Sequence, residues 1–280
     1  MVNRAQKLVF ALAWQRNAGP VGDDLAEFFA WLSDQIQMRV APRSALSYPE
    51  LAEMMRGGGA DLAWLPPIVY TRLESEGHVV SIASHQRAAS SRYESVLIVR
   101  RDSAIGDLED LRDRRVGWVD RWSAAGYVLP RIALLARGVD PRDLFGEERF
   151  FGSHDSAVHA LLAERVDAVA TFARSDQHGN FPEGGWSHAV GADARIRVLA
   201  GFGSIPADVT AAHTKLDPAM REKVGSALAE IGSHPQALEL ARRIFGVERF
   251  RSDEQADYEG LRRALESAYE CGLIDERVVR

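Results

Sequence analysis

A single cysteine, Cys271, occurs in the 280 residues. An intrachain disulfide and a cysteine-based zinc site are therefore excluded, and the count suits either side of a bacterial inner membrane. No run approaches the ~20 apolar residues that a bilayer span needs. The N-terminal apolar run, Leu8 to Trp14, is short and is followed by Gln15-Arg16-Asn17. Without a longer core and a small-residue cleavage site it reads as a first buried strand over Lys7 to Ala13, and neither an export signal nor membrane insertion is expected. Positive charge is not in excess: the net charge is -6 and the pI is about 5.8. Nucleic acid is not an expected partner, because phosphate binding needs clustered Lys and Arg. No GxxxxGK[ST] loop, no GxGxxG after a strand, no GxSxG and no HExxH occurs. The eight histidines have no metal-ligand spacing. His154 and His159, five apart, fall on different helix faces. Hydrolase, kinase and dehydrogenase chemistry lose ground accordingly. No cofactor and no metal is expected, and the chain is expected to bind a ligand without transforming it.

What is present is an ordinary globular composition, 46% hydrophobic and 26% charged, long enough for two domains. Short apolar strands alternate with amphipathic helices, the pattern of parallel α/β units. Strands are expected at 8–13, 38–42, 60–65, 79–84, 95–100, 115–119, 149–151, 166–171 and 197–202. Between them, 23–37 places Leu25, Phe28, Phe29, Leu32 and Ile36 at helical spacing. Helix 48–56 follows Ser47 as N-cap, with Glu50 three residues on as in a capping box. Helix 124–137 stops at Gly138, and 155–164 is a short helix with Asp155 as its expected N-cap. After about residue 203 the alternation is expected to stop, leaving helices over 217–231, 235–245 and 253–271 that pack back on the first sheet. No linker composition marks a boundary. Two lobes joined by crossing strands leave no such mark, and 93–100 and 196–203 are candidates for those crossings.

Three segments bear on function. ADLAWLPPIVYTRL (60–73) runs a strand into a double proline and a helix, a position that often faces ligand at a sheet mouth. Trp122-Ser123-Ala124-Ala125-Gly126 opens a helix directly after strand 115–119. Free backbone N–H groups and the helix dipole favour an anion there. Ser123 either caps that helix or donates to a ligand oxygen, and spacing favours the cap. FFGSHDSAVHALLAERVDAVAT (150–171) places His154 and Asp155 in a polar turn before a helix.

Taken together these segments resemble the phosphonate-binding (PhnD-like) binding proteins of ABC importers. The family's D-x-A-W-L/Y-G-P strand end is matched by Asp61-Leu62-Ala63-Trp64-Leu65-Pro66-Pro67, and its Y-x-S-x-x-x-V strand by Tyr93 to Val99. DLEDLRDRRVGWVD is similar to its segment before the next strand. Its S-T-S-G-Y-x-x-P run is matched by Ser123-Ala124-Ala125-Gly126-Tyr127-Val128-Leu129-Pro130, and G-S-H-D stands unchanged at Gly152 to Asp155. Ser204-Ile205-Pro206-Ala207-Asp208 is similar to its I-P-x-D, and 216–228 to a following helix. The likeness runs over about residues 7 to 275. It implies a type II periplasmic binding protein: two α/β lobes (1–92 with 197–280, and 93–196), two hinge strands, and a helical C-terminal tail packed on the first lobe. It implies a small anionic ligand, such as phosphonate, phosphate or a related oxyanion, and an ABC permease as partner. Tyr48, Tyr93, Ser123 and His154 match positions that hold the phosphonate group in the family. Trp64 and Asp155 from the matched motifs, and the N–H groups of Ala124, Ala125 and Gly126, complete the expected ligand-binding set.

Two departures bear on the ligand. Ser-Ala-Ala replaces Ser-Thr-Ser, which removes two hydroxyl donors, each worth roughly 1.5–3 kcal/mol against a charged group. Phe172-Ala173-Arg174-Ser175-Asp176 has no match for the family's acidic contact to an aminoalkyl phosphonate, Asp176 being the nearest candidate. A third concerns location. Family members normally lie outside the inner membrane, whereas this chain reads as cytoplasmic or as a mature form. Two alternatives stand beside the importer reading: an enzyme on the same fold (chorismate dehydratase-like or thiamine-pyrimidine synthase-like), and a cytosolic ligand-sensing domain.

Overall fold

The β/α alternation builds two α/β units, each around its own sheet, in a computed structural model that describes residues 7–13, 21–87, 92–176, 178–187, 189, 191–252 and 258–275. The chain begins with β1 (Lys7–Ala13), α1 (Val21–Ile36), β2 (Arg39–Ala45), α2 (Tyr48–Arg56), β3 (Leu62–Leu65), α3 (Pro67–Ser75) and β4 (Val79–Gln86). It continues with β5 (Arg92–Arg100), β6 (Arg115–Trp118), α4 (Leu129–Ala136), α5 (Pro141–Leu144), β7 (Glu147–Phe150), α6 (His154–Leu162), β8 (Ala168–Arg174), β9 (Glu183–Gly184), α7 (Ala192–Arg195) and β10 (Ile196–Pro206). It ends with β11 (Val209–His213), α8 (Pro218–Ala229), α9 (Pro235–Phe245), β12 (Arg249–Arg251) and α10 (Glu259–Glu270). The first residues of the helix expected over 253–271 lie outside the described residues.

The first unit, Met1–Arg92 with Pro206–Tyr258, carries the sheet β12-β4-β11-β3-β1-β2. β1 pairs in parallel with β2 and β3, whereas β11 runs antiparallel between β3 and β4. The sheet is therefore mixed. The sequence pattern misses the short strands β9, β11 and β12; of these β11, Val209 to His213, is made largely of small residues and buried throughout, so it lacks the alternation that a half-buried strand displays. Pro42 is tolerated because β2 is an edge strand. On α1 the helical spacing buries Phe28, Phe29, Leu32 and Ile36, with the Phe29 ring 5.0 Å from Phe10 of β1. α9 buries Leu240, Ala241 and Phe245 against the same core, the Phe245 ring lying 5.2 Å from Phe28. α8 adds Val224 and Leu228, so these two helices of the tail pack on the first sheet.

The second unit, Tyr93–Ile205 with Glu259–Arg280, carries the sheet β10-β5-β8-β6-β7, with β9 paired to β8. Val96 to Val99 of β5 are fully buried, as a central strand covered on both faces requires. β6 pairs in parallel with β7 and β8, and β5 runs antiparallel to β8. This division places β10 and α10 in the second unit, where the sequence reading gave 197–280 to the first lobe. The chain passes between the units at 92–93, 205–206 and 258–259. Among the described residues no helix is long and apolar enough to cross a membrane.

Candidate functional site

The topology of the second unit brings four chain positions to one edge of its sheet. Because β6, β7 and β8 are parallel, the segments after them leave from the same side, and antiparallel β5 begins there. The carboxyl edge of such a sheet is where ligands bind in open α/β folds. The segment after β6 carries Ser123 to Gly126, that after β7 carries His154, and Tyr93 is the second residue of β5.

Ser123 is the N-cap of a π-helical turn, Ala124–Val128, that leads into α4. Its Oγ accepts from the Gly126 N–H at 3.0 Å, so the cap expected from spacing forms. The cap uses one lone pair and leaves the hydroxyl proton for another acceptor. The Val128 N–H donates to the Ser123 carbonyl at 3.0 Å, which widens the first turn, a geometry frequent at functional sites. By position the N–H groups of Ala124 and Ala125 have no acceptor within the helix, yet both residues are buried. The turn is anchored on both sides. Ser95 of β5 donates to the Ala125 carbonyl at 2.8 Å, and the Val119 N–H donates to the Gly126 carbonyl at 3.1 Å. Only glycine fits at 126, because a Cβ there would lie 2.4 Å from the Val119 Cγ2. Asp120, just upstream, accepts from the Trp122 N–H at 2.8 Å, and burial pushes its carboxyl up.

His154 is the first residue of α6. The cap of that helix is Ser153, whose Oγ accepts from the Ser156 N–H at 3.0 Å. The N-cap expected at Asp155 is thereby corrected: Asp155 lies in the first turn, its carboxylate 3.4 Å from His159 Nδ1. Gly152, at φ +79°, turns the chain after β7, and this sets the cap two residues earlier. His154 Nδ1 lies 2.8 Å from the hydroxyl of Thr171 on β8. Gly185 covers that contact: a Cβ there would come 2.0 Å from the Thr171 Oγ1. Burial pushes the His154 imidazole down to about 4, so the ring is neutral at pH 7. A Thr171 hydroxyl that donates to Nδ1 places the ring proton on Nε2. The Phe172 ring stands edge-on to His154 at 5.0 Å and to Tyr93 at 6.2 Å. Thr171 was read in the sequence only as the end of a strand, and Phe172 only as the start of the segment 172–176 that lacks the family's acidic contact. Asp176, the candidate acidic contact, is engaged in its own loop, accepting from the N–H groups of His178 and Asn180 at 2.8 and 2.9 Å.

In the first unit, Tyr48 opens α2 after Ser47, with the return bond of the expected capping box moved one residue back, to Leu46. Ser47 accepts from the Glu50 N–H at 3.2 Å, while the Glu50 carboxylate accepts from the Leu46 N–H at 2.7 Å. Trp64 makes its recorded contacts within the first unit. Its indole N–H donates to Asp208 at 3.0 Å, and its ring stacks on Phe245 at 4.5 Å and lies 3.8 Å from His85. Arg87 holds the same Asp208 carboxylate at 3.2 Å. Two of the sequence motifs, the strand end at Trp64 and the segment ending at Asp208, thus meet in one contact. Burial, with Arg87 nearby, keeps the His85 imidazole well below the usual histidine range. Among the described residues no group of three or more His, Cys, Asp or Glu side chains is placed to hold a metal ion.

Residues 10–258 match the model of a family described as ABC transporter, phosphonate, periplasmic substrate-binding protein. Among solved structures, the chain is similar to a binding protein component of an ABC phosphonate transporter from Pseudomonas aeruginosa, with a TM-score of 0.80, 18% identity, and coverage of 96% of this chain and 89% of that one. It is also similar to PhnD1 from Prochlorococcus marinus in complex with methylphosphonate, with a TM-score of 0.76, 19% identity, and coverage of 96% and 99%. At these identities the likeness shows the fold, that of type II periplasmic binding proteins. Among curated proteins, the tetrathionate sensor histidine kinase TtrS of Salmonella typhimurium is 28% identical over 158 residues, 53% of this chain. The match spans only 26% of the kinase.

Proposed function

We propose, for a chain that belongs to the phosphonate family of ABC-transporter periplasmic substrate-binding proteins, that it holds a small tetrahedral oxyanion at the carboxyl edge of its second sheet and releases it unchanged. The observation that carries this reading is the buried helix start at 124–128. Its first N–H groups have no acceptor within the helix, and buried backbone donors left unmet are costly. An anion at that point would accept from them and gain from the helix dipole. The Ser123 hydroxyl, the His154 Nε2–H and the Tyr93 phenol lie on the same edge and add donors of the kind a tetrahedral oxyanion requires. Phosphonate, phosphate or a related oxyanion is the ligand class, and an ABC permease the partner. Among the described residues no hydrogen bond pairs Ser123 with His154 as nucleophile and base: Ser123 Oγ accepts within its own turn and His154 Nδ1 meets Thr171. This favours binding over turnover.

Calorimetric titration of methylphosphonate, phosphate and phosphite tests the proposal. Ser123→Ala removes a donor to a charged group, so affinity is expected to fall by about 1–3 kcal/mol, with a loss of about 1 kcal/mol in stability from the cap. Ala124→Thr with Ala125→Ser adds two hydroxyls and is expected to tighten phosphonate. Equal affinities across the three proteins would place the ligand elsewhere.

A second reading is favoured by the 158-residue match to the sensor kinase. Here the same edge would hold a sulfur oxyanion such as tetrathionate and report its occupancy to a partner protein. Titration with tetrathionate separates the two: tight binding of tetrathionate with no binding of methylphosphonate would favour sensing.

A further inference from the structure

The last residue of β8, Arg174, reaches the Phe172 ring, its guanidinium carbon 5.3 Å from the ring centre. That ring is the one shared by His154 and Tyr93. The ring distances put the Arg174 guanidinium within about 10 Å of the His154 imidazole, the span of a small molecule with an acid group at each end. Arg174 is mostly buried and bonds through Nη1 to Glu183, its register partner on β9, which is half exposed. No other hydrogen bond of the guanidinium is recorded among the described residues. A half-exposed pair of this kind is held weakly, so a ligand acid could take the carboxylate's place on the rigid fork.

Three of the acidic groups on this edge already hold a partner on their own segment, and a fourth, Glu183, holds Arg174. Asp120 binds the Trp122 N–H, Asp155 faces His159, and Asp176 closes its own loop. Glu94 reaches toward Gly201, where a Cβ would lie 3.9 Å away. Asp120, Asp155 and Asp176 are thus each engaged within their own segments, whereas the Arg174 guanidinium has one weakly held partner and donors left for a second anion.

We infer that Arg174 determines specificity by reading a second negative charge, so that this chain takes small molecules with two acid groups in preference to aminoalkyl phosphonates. The inference rests on the oxyanion reading of the same edge. Such a contact also offsets the hydroxyl donors that Ala124 and Ala125 lack.

The test is calorimetric titration of methylphosphonate, 2-aminoethylphosphonate, phosphonoacetate and ethane-1,2-disulfonate into the wild type, Arg174→Gln and Glu183→Gln, with a melting temperature for each protein. The wild type is expected to bind at least one two-acid ligand about tenfold tighter than methylphosphonate, the scale of one charge-assisted hydrogen bond. Which of the two it prefers tells phosphorus from sulfur chemistry. Arg174→Gln is expected to erase that preference while leaving methylphosphonate within about twofold, and Glu183→Gln to widen it. A purely structural clamp between β8 and β9 would lower the melting temperature and weaken all ligands alike, which would overturn the inference. So would methylphosphonate binding as tightly as both two-acid ligands. If no member of the series binds while phosphate, phosphite or tetrathionate does, this inference alone fails; if none of those binds either, the oxyanion reading fails with it.

Discussion

Acidification should expose the cost of keeping His154 neutral. The ring, covered by Phe172 and Gly185, titrates at about 4 in the folded chain against an ordinary 6.5. Above pH 6.5 it is neutral whether the chain is folded or not, and contributes no pH dependence. Between pH 6.5 and 4 the unfolded chain takes up a proton that the folded chain refuses, so stability falls as pH falls. The slope from this residue is about 1.4 kcal/mol per pH unit, and the total is on the order of 3 kcal/mol. Carboxylates and His85 add losses of their own, so the measurement is a difference: urea unfolding of the wild type and His154→Gln at pH 7, 6 and 5. The variant is expected to start less stable, having weakened its contact with Thr171, and to lose less on acidification. Proton NMR of the ring should show it unprotonated at pH 5.5. Parallel stability curves, or a ring that titrates near 6.5, would refute the reasoning. A bound anion would favour the protonated ring. Affinity for a sulfonate, whose own charge does not change over this range, is therefore expected to rise between pH 7 and 5.

Gly126→Ala drives a methyl group into Val119 and against the Ser123 cap; a loss of about 1–3 kcal/mol in stability is expected from the overpacking, read by urea unfolding, together with weaker anion binding. Trp64→Phe leaves the Asp208 carboxylate one donor short. About 1–3 kcal/mol of stability should go while calorimetric ligand affinity stays within twofold if packing is its main role, and a larger loss of affinity would show that Trp64 contacts ligand. Saturating ligand is expected to reduce the radius of gyration in small-angle scattering, and an unchanged value would count against a chain that closes on its ligand.

Much of the fold could be read from the chain because its alternation is local. Helices 48–56 and 235–245 carry their own signals: a capping box at Ser47 and Glu50, and Gly246 in the left-handed region at φ +62°. β11 could not be read, since burial on both faces erases period and its partners β3 and β4 are far away in sequence. The cap of α6 was misplaced because Ser153 and Asp155 are both capping types, and only the turn at Gly152 decides between them. At the site, Ser123 and His154 stood out by chain position. Thr171, Phe172 and Arg174 did not, because a strand residue points to a site only when its register against β5 and β9 is known. The π-helical turn at 124–128 was equally hidden, being produced by the Ser95 and Val119 contacts that hold it.

The position of β11 also fixes an order of events at the ribosome. β3 and β4 are made early, but the strand that joins them arrives only with Val209 to His213. At ~5–20 residues per second, translation of the chain between Gln86 and Val209 takes on the order of ten seconds. Throughout that interval β3 and β4 each lack the strand that lies between them in the folded sheet. The 93–205 segment, by contrast, is synthesised without interruption and can collapse first. A nascent chain stalled near residue 205 would thus expose strand edges that the finished protein never shows, and these are natural targets for a chaperone or for a neighbouring copy.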